Sequence, residues 1–227
     1  MQMRLETCRC GKKYSAPSLT NLKTKYLFCK EEVIRQGYDD EILWQASLRF
    51  DDLNESMFLR ELAWVILSCG FRESVIRRLF KNISECFYNW SSSHVIIMNK
   101  NACYTNSIRY FNNKPKISAI IQSAHILNRI NFDELKIDLS ENPIHVLQQF
   151  PYVGPITAYH LAKNIGIPVA KPDRHLARIA KAEGYSDVQA LCKDIAILSG
   201  DSVSIVDLVL WRYATIYSDY LNLFLNK

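Results

Sequence analysis

The chain has 227 residues, of which 28 are Lys or Arg and 23 are Asp or Glu, so its formal net charge is +5 at pH 7. This length allows one large domain or two closely packed subdomains with a sizeable core. The mildly basic balance is compatible with nucleic-acid binding without requiring it. No apolar stretch reaches the roughly 18 residues that cross a bilayer, and no apolar segment of a secretory signal is found. We therefore expect a cytoplasmic protein, associated with the nucleoid if it is bacterial.

Composition also predicts the fold class and the redox environment. Gly and Pro occur only seven times each, and long Ile- and Leu-rich segments with helical spacing predict an all-α protein. Seven Cys is an odd number, scattered without a framework, which indicates a reducing compartment. Cys8, Cys10 and Cys29 suggest a zinc site as an alternative, but the first two are closer than usual and no fourth ligand lies nearby. We expect ordinary free thiols there.

The periodicity of apolar residues predicts the helices in chain order. Residues 1 to about 40 show no clear pattern, and a short amphipathic helix is predicted over 41–50. The further helices are predicted over 57–70, 72–90, 117–129, 140–149 and 203–224, and a Ser186–Gln189 capping box should open one that ends near Leu198. The polar face of the 72–90 helix carries Arg72, Arg77, Arg78 and Lys81. A solvated surface and a phosphate-facing flank are both compatible with that face.

The most specific pattern lies between Gln148 and Gly184. A tight loop over 151–155 precedes a helix over 156–164, and Asp173 precedes a second helix over 174–183. A loop that opens a helix presents unpaired backbone N–H groups, which attract phosphate. An Asp at a helix N-cap is held ionised by such groups.

These segments resemble the helix-hairpin-helix and Gly/Pro-Asp core of base-excision DNA glycosylases (the HhH-GPD superfamily). The hairpin loop of that family is matched by Phe150-Pro151-Tyr152-Val153-Gly154, and its Asp-x-His arrangement by Asp173-Arg174-His175. Residues 58–71 and Asn113-Lys114-Pro115-Lys116-Ile117 resemble two further segments, a buried helix with a strand-wedging loop and an Asn-Lys-Ala-Lys-x-Ile run. Tyr152 departs from the family, which usually has Gly there. We therefore divide the chain into an N-terminal segment, 1–50, that packs on the core, and a glycosylase core, 51–227.

The resemblance implies two helical subdomains with an active-site cleft between them and Asp173 as the catalytic carboxylate. An ionised carboxylate can stabilise an oxocarbenium-like sugar and activate a water molecule. The DNA contacts that it implies come from Pro151, Tyr152, Val153, Gly154, Pro155, Thr157 and His175. A monovalent cation would be bound by the backbone carbonyls of Gln148, Phe150 and Val153. An extruded base needs an aromatic pocket, for which we select Tyr159, His160, Trp64, Phe71 and Trp211.

The resemblance also indicates which type of glycosylase reaction, cofactor and substrate to expect. Ile156 stands where members that cut the DNA backbone carry a Schiff-base Lys, which implies a monofunctional enzyme that leaves an abasic site. Cys192 is the only Cys after Cys103, so no iron–sulfur cluster is expected, and no cofactor is required. The implied partner is duplex DNA with an alkylated base, or with a bulky modified base of viral DNA, which leaves repair and antiviral defence as alternatives. We expect a monomer.

Three rival interpretations stay open. A lysine outside the aligned position, Lys163 or Lys171, would make the enzyme a bifunctional glycosylase/lyase. A non-catalytic DNA-binding module could keep the hairpin alone, although pure binding needs no acid at Asp173. A helical protein-interaction domain is the third alternative, and salt-dependent DNA binding would argue against it.

Overall fold

The computed structural model describes residues 6–7, 13–14 and 16–225, with side chains from Asn21 to Leu225. Two short strands, β1 (Glu6–Thr7) and β2 (Lys13–Tyr14), form an antiparallel pair. Helices make up nearly all of the remaining regular structure, so the all-α prediction is confirmed. Cys8 and Cys10 lie outside the described residues. No helix in the described part of the chain is both long enough and apolar enough to cross a membrane.

The helices follow one another through short connections. They are α1 (Ala16–Arg35), α2 (Asp39–Ser47), α3 (Glu55–Ser68), α4 (Glu73–Cys86), α5 (Ser93–Met98), α6 (Lys100–Tyr110), α7 (Lys114–Leu127), α8 (Phe132–Glu141), α9 (Pro143–Leu147), α10 (Pro155–Asn164), α11 (Arg174–Ala182), α12 (Val188–Ser199), α13 (Val203–Ile216) and α14 (Leu221–Leu225). Short 3₁₀ turns lie over Phe50–Asp52 and Tyr88–Trp90.

The chain forms two compact units. The first combines the chain up to Leu48 with the chain from Ile167 onward, and the second is Arg49–Gly166. Helix α1 contributes Leu22, Tyr26, Cys29 and Val33 to the same apolar core as α11, α12, α13 and α14. The predicted division of the chain at residue 50 stays a prediction about the extent of the glycosylase core.

The buried face of α1 also carries polar contacts to the far end of the chain. The Tyr26 hydroxyl donates to Asp201 over 2.5 Å, and the Lys30 ammonium lies 2.7 Å from the same carboxylate. Burial raises the pKa of the Cys29 thiol, which favours its neutral form. Among residues with described side chains, no group of three or more His, Cys, Asp or Glu could bind a metal ion.

Helix α3 is the central element of the second unit. Phe58, Leu59, Leu62 and Ile66 are at most 2% exposed, which agrees with the buried helix predicted there. The buried Glu61 carboxylate of α3 accepts a hydrogen bond of 3.0 Å from Asn164 of α10. Burial raises the pKa of Glu61, and the nearby Arg60 and Asn164 oppose that effect. This contact fastens α10 to the core of its own unit.

Four expectations about local structure are wrong. The helix predicted over 72–90 ends at Cys86, because the left-handed residues Tyr88–Trp90 form a separate 3₁₀ turn. The helix predicted over 140–149 is two helices, because Pro143 starts α9 and cannot donate the hydrogen bond that would continue α8. The run predicted over 203–224 ends at Ile216, where the extended backbone of Tyr217 precedes α14. Asp187, not Ser186, caps α12, and the Gln189 side chain bonds to the backbone of Ala170 instead.

Gly166, which ends α10, provides a stability test. Its φ is +90°, and a Cβ there would lie 2.6 Å from the Phe50 nitrogen. We expect Gly166→Ala to lower the free energy of unfolding by about 3 kcal/mol, because left-handed backbone and a clash with main-chain atoms both oppose it. Gly200 has a φ of +84°, and a Cβ there would meet nothing within 4 Å, so Gly200→Ala is the control, at about 1 kcal/mol. Equal losses in urea unfolding would contradict the clash.

Candidate active site and hairpin

The hairpin loop is a tight turn from Phe150 to Val153. The Phe150 carbonyl accepts a hydrogen bond of 3.1 Å from the Val153 N–H. Pro151 is the second residue of the turn, and Tyr152, the third, has a φ of +65°. Pro followed by a positive φ is the pattern of a type II turn, which favours Gly in the third position. Tyr152 therefore adopts the backbone conformation that a Gly would adopt there, at a cost of about 1–2 kcal/mol.

Lys116, which sequence reasoning did not assign to the site, contacts this tyrosine. Its ammonium lies 5.0 Å from the centroid of the Tyr152 ring and 5.5 Å from that of Phe71. Nζ also donates to the carbonyls of Ile66 and Cys69 at the carboxyl end of α3, over 2.7 Å in the case of Cys69. A desolvated cation–π contact is worth about 1–2 kcal/mol, comparable with the cost of the Tyr152 backbone. Burial lowers the pKa of Lys116.

The amino end of α10 follows the turn directly. Gly154 is the N-cap residue and Pro155 the first helical residue, and no side chain caps the first turn. The Thr157 hydroxyl instead accepts a hydrogen bond of 3.1 Å from the Gly154 N–H. Because Gly brings no side chain between the helix end and solvent, the positive end of the helix dipole can approach an anion closely. This end of the second unit is suited to binding phosphate.

The predicted cation ligands lie on the same turn. The carbonyl of Phe150 uses one lone pair for the Val153 N–H, which leaves a second for another partner. The Gln148 side chain bonds back to the Ile144 carbonyl of α9, so it is turned toward its own helix. Carbonyl oxygens at a turn suit a hard monovalent cation, and the three-carbonyl site stays a prediction.

Asp173 is the N-cap residue of α11, as predicted. One oxygen, Oδ1, accepts hydrogen bonds from the N–H groups of His175 and Leu176, over 2.9 and 3.0 Å. The other oxygen, Oδ2, has no hydrogen-bond partner among the described residues, and Asp173 is partly exposed. Both amides belong to the first turn of α11, so Oδ1 lies at the positive end of that helix dipole. The carboxylate is thus fixed through one oxygen, and the other can still accept a hydrogen bond or a proton from a reactant.

The loop before Asp173 is anchored by Asp207 of α13. The Asp207 carboxylate, on a residue that is 1% exposed, accepts the Lys171 N–H over 2.7 Å. The Lys171 carbonyl in turn accepts the Asp173 N–H over 2.7 Å. Asp207 therefore positions the backbone of Asp173. The available signal was one acid in the apolar run of α13, since a buried carboxylate needs a partner.

His175 lies between two partners. Arg174 Nε donates to His175 Nε2 over 3.3 Å, and Nδ1 lies 3.2 Å from the Tyr220 hydroxyl. Because a guanidinium only donates, Nε2 must be the acceptor, so the proton of the neutral ring is on Nδ1. Burial lowers the pKa of His175, which also favours the neutral ring. The predicted phosphate contact would require His175 to exchange one of these partners.

The predicted pocket residues are distributed over both units. Tyr159 and His160 are partly buried on α10. The Trp64 ring makes an edge contact with the Phe80 ring. In the first unit, the Cζ atom of Arg212 lies 4.6 Å from the centroid of the Trp211 ring. Phe71 is 43% exposed, and the Lys116 ammonium that lies over its ring also lies over the Tyr152 ring. The structure thus brings Phe71 to the hairpin, while a pocket built from the five aromatic residues stays a prediction.

Comparison with solved structures defines the class of fold. The chain has an all-α fold with a hairpin loop between α9 and α10 and an Asp-capped helix after it. It is similar to the crystal structure of a Methanocaldococcus jannaschii 8-oxoguanine glycosylase/lyase in complex with 15mer DNA containing 8-oxoguanine, with a TM-score of 0.52. The match covers 84% of this chain and 98% of that one, at 18% identity, and it establishes the fold. No protein-family model and no curated protein matches the sequence.

Proposed function

We propose that this protein is a DNA glycosylase that hydrolyses the N-glycosidic bond of a damaged or modified base in duplex DNA. The observation that carries the proposal is the Asp173 carboxylate, which is fixed by two backbone amides through Oδ1 and open through Oδ2. The fold adds support, because the similar protein from M. jannaschii was crystallised with DNA that contains a damaged base. The chain would act on DNA as a monomer.

In the proposed reaction the bond between C1′ and the base nitrogen breaks, and its electron pair leaves with the base. The ionised Asp173 stabilises the positive charge that develops on the sugar. Its open oxygen then accepts a proton from the water molecule whose oxygen bonds to C1′. The products are an abasic site and a free base; a base that leaves as an anion takes up a proton from solvent, and Asp173 releases its own proton to solvent.

Binding of the DNA backbone is assigned to the hairpin. The uncapped amino end of α10 binds one phosphate group, and such a contact positions the protein without reading sequence. A base inside the duplex is not accessible, so the target nucleotide must be flipped out. The mechanism therefore requires the hairpin and Asp173 to act on the same DNA molecule.

Ile156 favours a monofunctional reaction. It is the second residue of α10 and is 46% exposed, and its side chain has no nucleophile that could attack C1′. The proposed substrate is an alkylated base or a bulky modified base of foreign DNA, which corresponds to a role in repair or in defence. A monovalent cation at the carbonyls of Gln148, Phe150 and Val153 would add to the hairpin's hold on DNA, and no other cofactor is required.

A base-release screen tests the proposal. The protein is incubated with duplexes that carry a panel of damaged and naturally hypermodified bases, and released bases are identified by mass. We expect one class of duplex to yield a free base together with alkali-labile sites, and no strand cleavage before alkali. Tight binding of duplex DNA without release of any base would instead favour the non-catalytic DNA-binding module.

A further inference from the structure

Two exposed aromatic rings share one buried cation in the second unit. Phe71, in the loop after α3, and Tyr152, in the hairpin, are each 43% exposed. The Lys116 ammonium lies within 5.5 Å of both ring centroids. We call Phe71 and Tyr152 the aromatic pair. Each ring belongs to a different loop, so Lys116 joins two segments that are more than 80 residues apart in sequence.

Several observations indicate that this arrangement is built rather than incidental. Lys116 is 4% exposed, and no carboxylate pairs with it in the part of the chain that the structure describes. Its charge is stabilised instead by two carbonyls at the carboxyl end of α3 and by the two rings. Tyr152 keeps its ring at this position although its φ of +65° would suit a Gly. Phe71 is further supported by an edge contact with Phe111 at 5.1 Å.

Flat exposed rings beside a phosphate-binding loop match the chemistry of an unstacked base. When a nucleotide leaves the duplex, its neighbours and the base opposite lose a stacking partner. Aromatic side chains replace that stacking for any base, because every base has a π-face. The aromatic pair adjoins the amino end of α10, which follows the Tyr152 turn directly and is open to phosphate. A contact to the DNA backbone at the hairpin would therefore bring bases close to the pair.

The resemblance of residues 58–71 to a strand-wedging loop already implies that Phe71 lies near the DNA. We propose that Tyr152 extends this loop into a stacking surface for a DNA base beside or opposite the extruded nucleotide, and that Lys116 is the positioning residue that holds the two rings. This inference rests on the proposed function, because it requires that the protein open a DNA duplex. It assigns to Tyr152 a role that the Gly usual at this turn position could not fill, and it makes Lys116 part of the DNA-binding surface.

The experiment uses the full chain and a duplex that needs no knowledge of the substrate. One duplex has a central tetrahydrofuran residue, a stable abasic analogue, with 2-aminopurine opposite it, and a second duplex is intact. We expect the wild type to bind the tetrahydrofuran duplex more tightly than the intact duplex and to change the fluorescence of 2-aminopurine. We call the ratio of the two affinities the binding preference. Tyr152→Gly and Phe71→Leu should each reduce that preference about tenfold and weaken the fluorescence change, since a lost stacking contact weakens binding to this extent.

The chain offers a closely matched control. Tyr88 lies in the same unit, is also 43% exposed and has a φ of +54°. Tyr88→Gly therefore removes an equally exposed ring and relieves the same kind of backbone conformation, but it should leave the preference and the fluorescence unchanged. If Tyr152→Gly and Tyr88→Gly behave alike, or if the wild type does not distinguish the two duplexes, the inference is overturned.

The role of Lys116 is tested by a double-mutant cycle. If Lys116 acts through the rings, Lys116→Met should reduce the preference in the wild-type background and add little in the Tyr152→Gly background. This substitution leaves two carbonyls without a donor and can unfold the chain, so its fold is checked by circular dichroism and thermal unfolding. The Tyr152→Gly and Phe71→Leu variants decide whether the inference holds. Base release is measured separately. Base release without the expected effect of the ring variants on 2-aminopurine fluorescence overturns this inference alone. That effect without base release from any duplex overturns the proposed function alone.

Discussion

Asp173→Asn is expected to reduce base release by about 10²–10⁴-fold, because an amide can neither take a proton from water nor stabilise a positive charge on the sugar. The fold should persist, since Asn is as good an N-cap residue as Asp and its oxygen can still accept from the N–H groups of His175 and Leu176. DNA affinity should be kept or slightly raised, because a negative charge is removed. Single-turnover release and a binding titration measure the two quantities on the same duplex.

The control for this variant is Asp187→Asn. Asp187 caps α12 as Asp173 caps α11, but its Oδ1 accepts from the Gln189 N–H and its Oδ2 from the Ala190 N–H; it lies in the same unit. The substitution removes one carboxylate from one helix cap, as Asp173→Asn does, so it should leave release unchanged. Retained base release by Asp173→Asn, or an equal loss of base release in both variants, would contradict the assignment of Asp173 as the catalytic carboxylate.

Treatment of the wild type with borohydride during turnover is expected to trap no covalent protein–DNA adduct. A trapped adduct requires a Schiff base between an amine and C1′ of the sugar, and Ile156 has no amine. The measurement is a denaturing gel of the protein with labelled duplex. Ile156→Lys serves as the comparison, because a residue that is 46% exposed accepts a charged side chain without burying it, and this variant should yield an adduct.

A wild-type adduct would restore the lyase alternative. Lys163 is 7% exposed on α10, and the backbone of Lys171 is tied to Asp207. Replacing each of the two lysines by Met in turn would then identify the nucleophile. Neither replacement is expected to alter base release if the reaction proceeds through water.

Helices with one continuous apolar face were predicted almost as the structure has them. α11 was predicted over 174–183 and runs over Arg174–Ala182, and its cap Asp173 was identified from the same local pattern. The prediction failed where a chain turn falls inside an apolar run, as at Pro143 and Tyr217. Apolar spacing continues across such a turn because both flanking helices bury a face, so periodicity alone does not mark the break.

In the amino-terminal segment, the sequence pattern did not predict a helix, although α1 is present. Leu22, Tyr26, Cys29 and Val33 of α1 are spaced as one helical face and are at most 4% exposed. The partners that bury this face, on α12 and α13, lie more than 150 residues later in the chain. The lysines between the apolar residues weaken the pattern, and two of them, Lys25 and Lys30, are paired with acids that also lie far away in sequence.

By itself, the sequence determined what depends on neighbours along the chain: the helical class, the turn before α10 and the Asp cap of α11. These features involve residues within four positions of one another, so their signals are local. The tertiary structure decided what lies around them. Lys116 meets carbonyls 47 and 50 residues away, and Asp207 holds a backbone amide 36 residues away. Only folding brings such partners together, because each buried charge must find donors or acceptors wherever the packed core provides them.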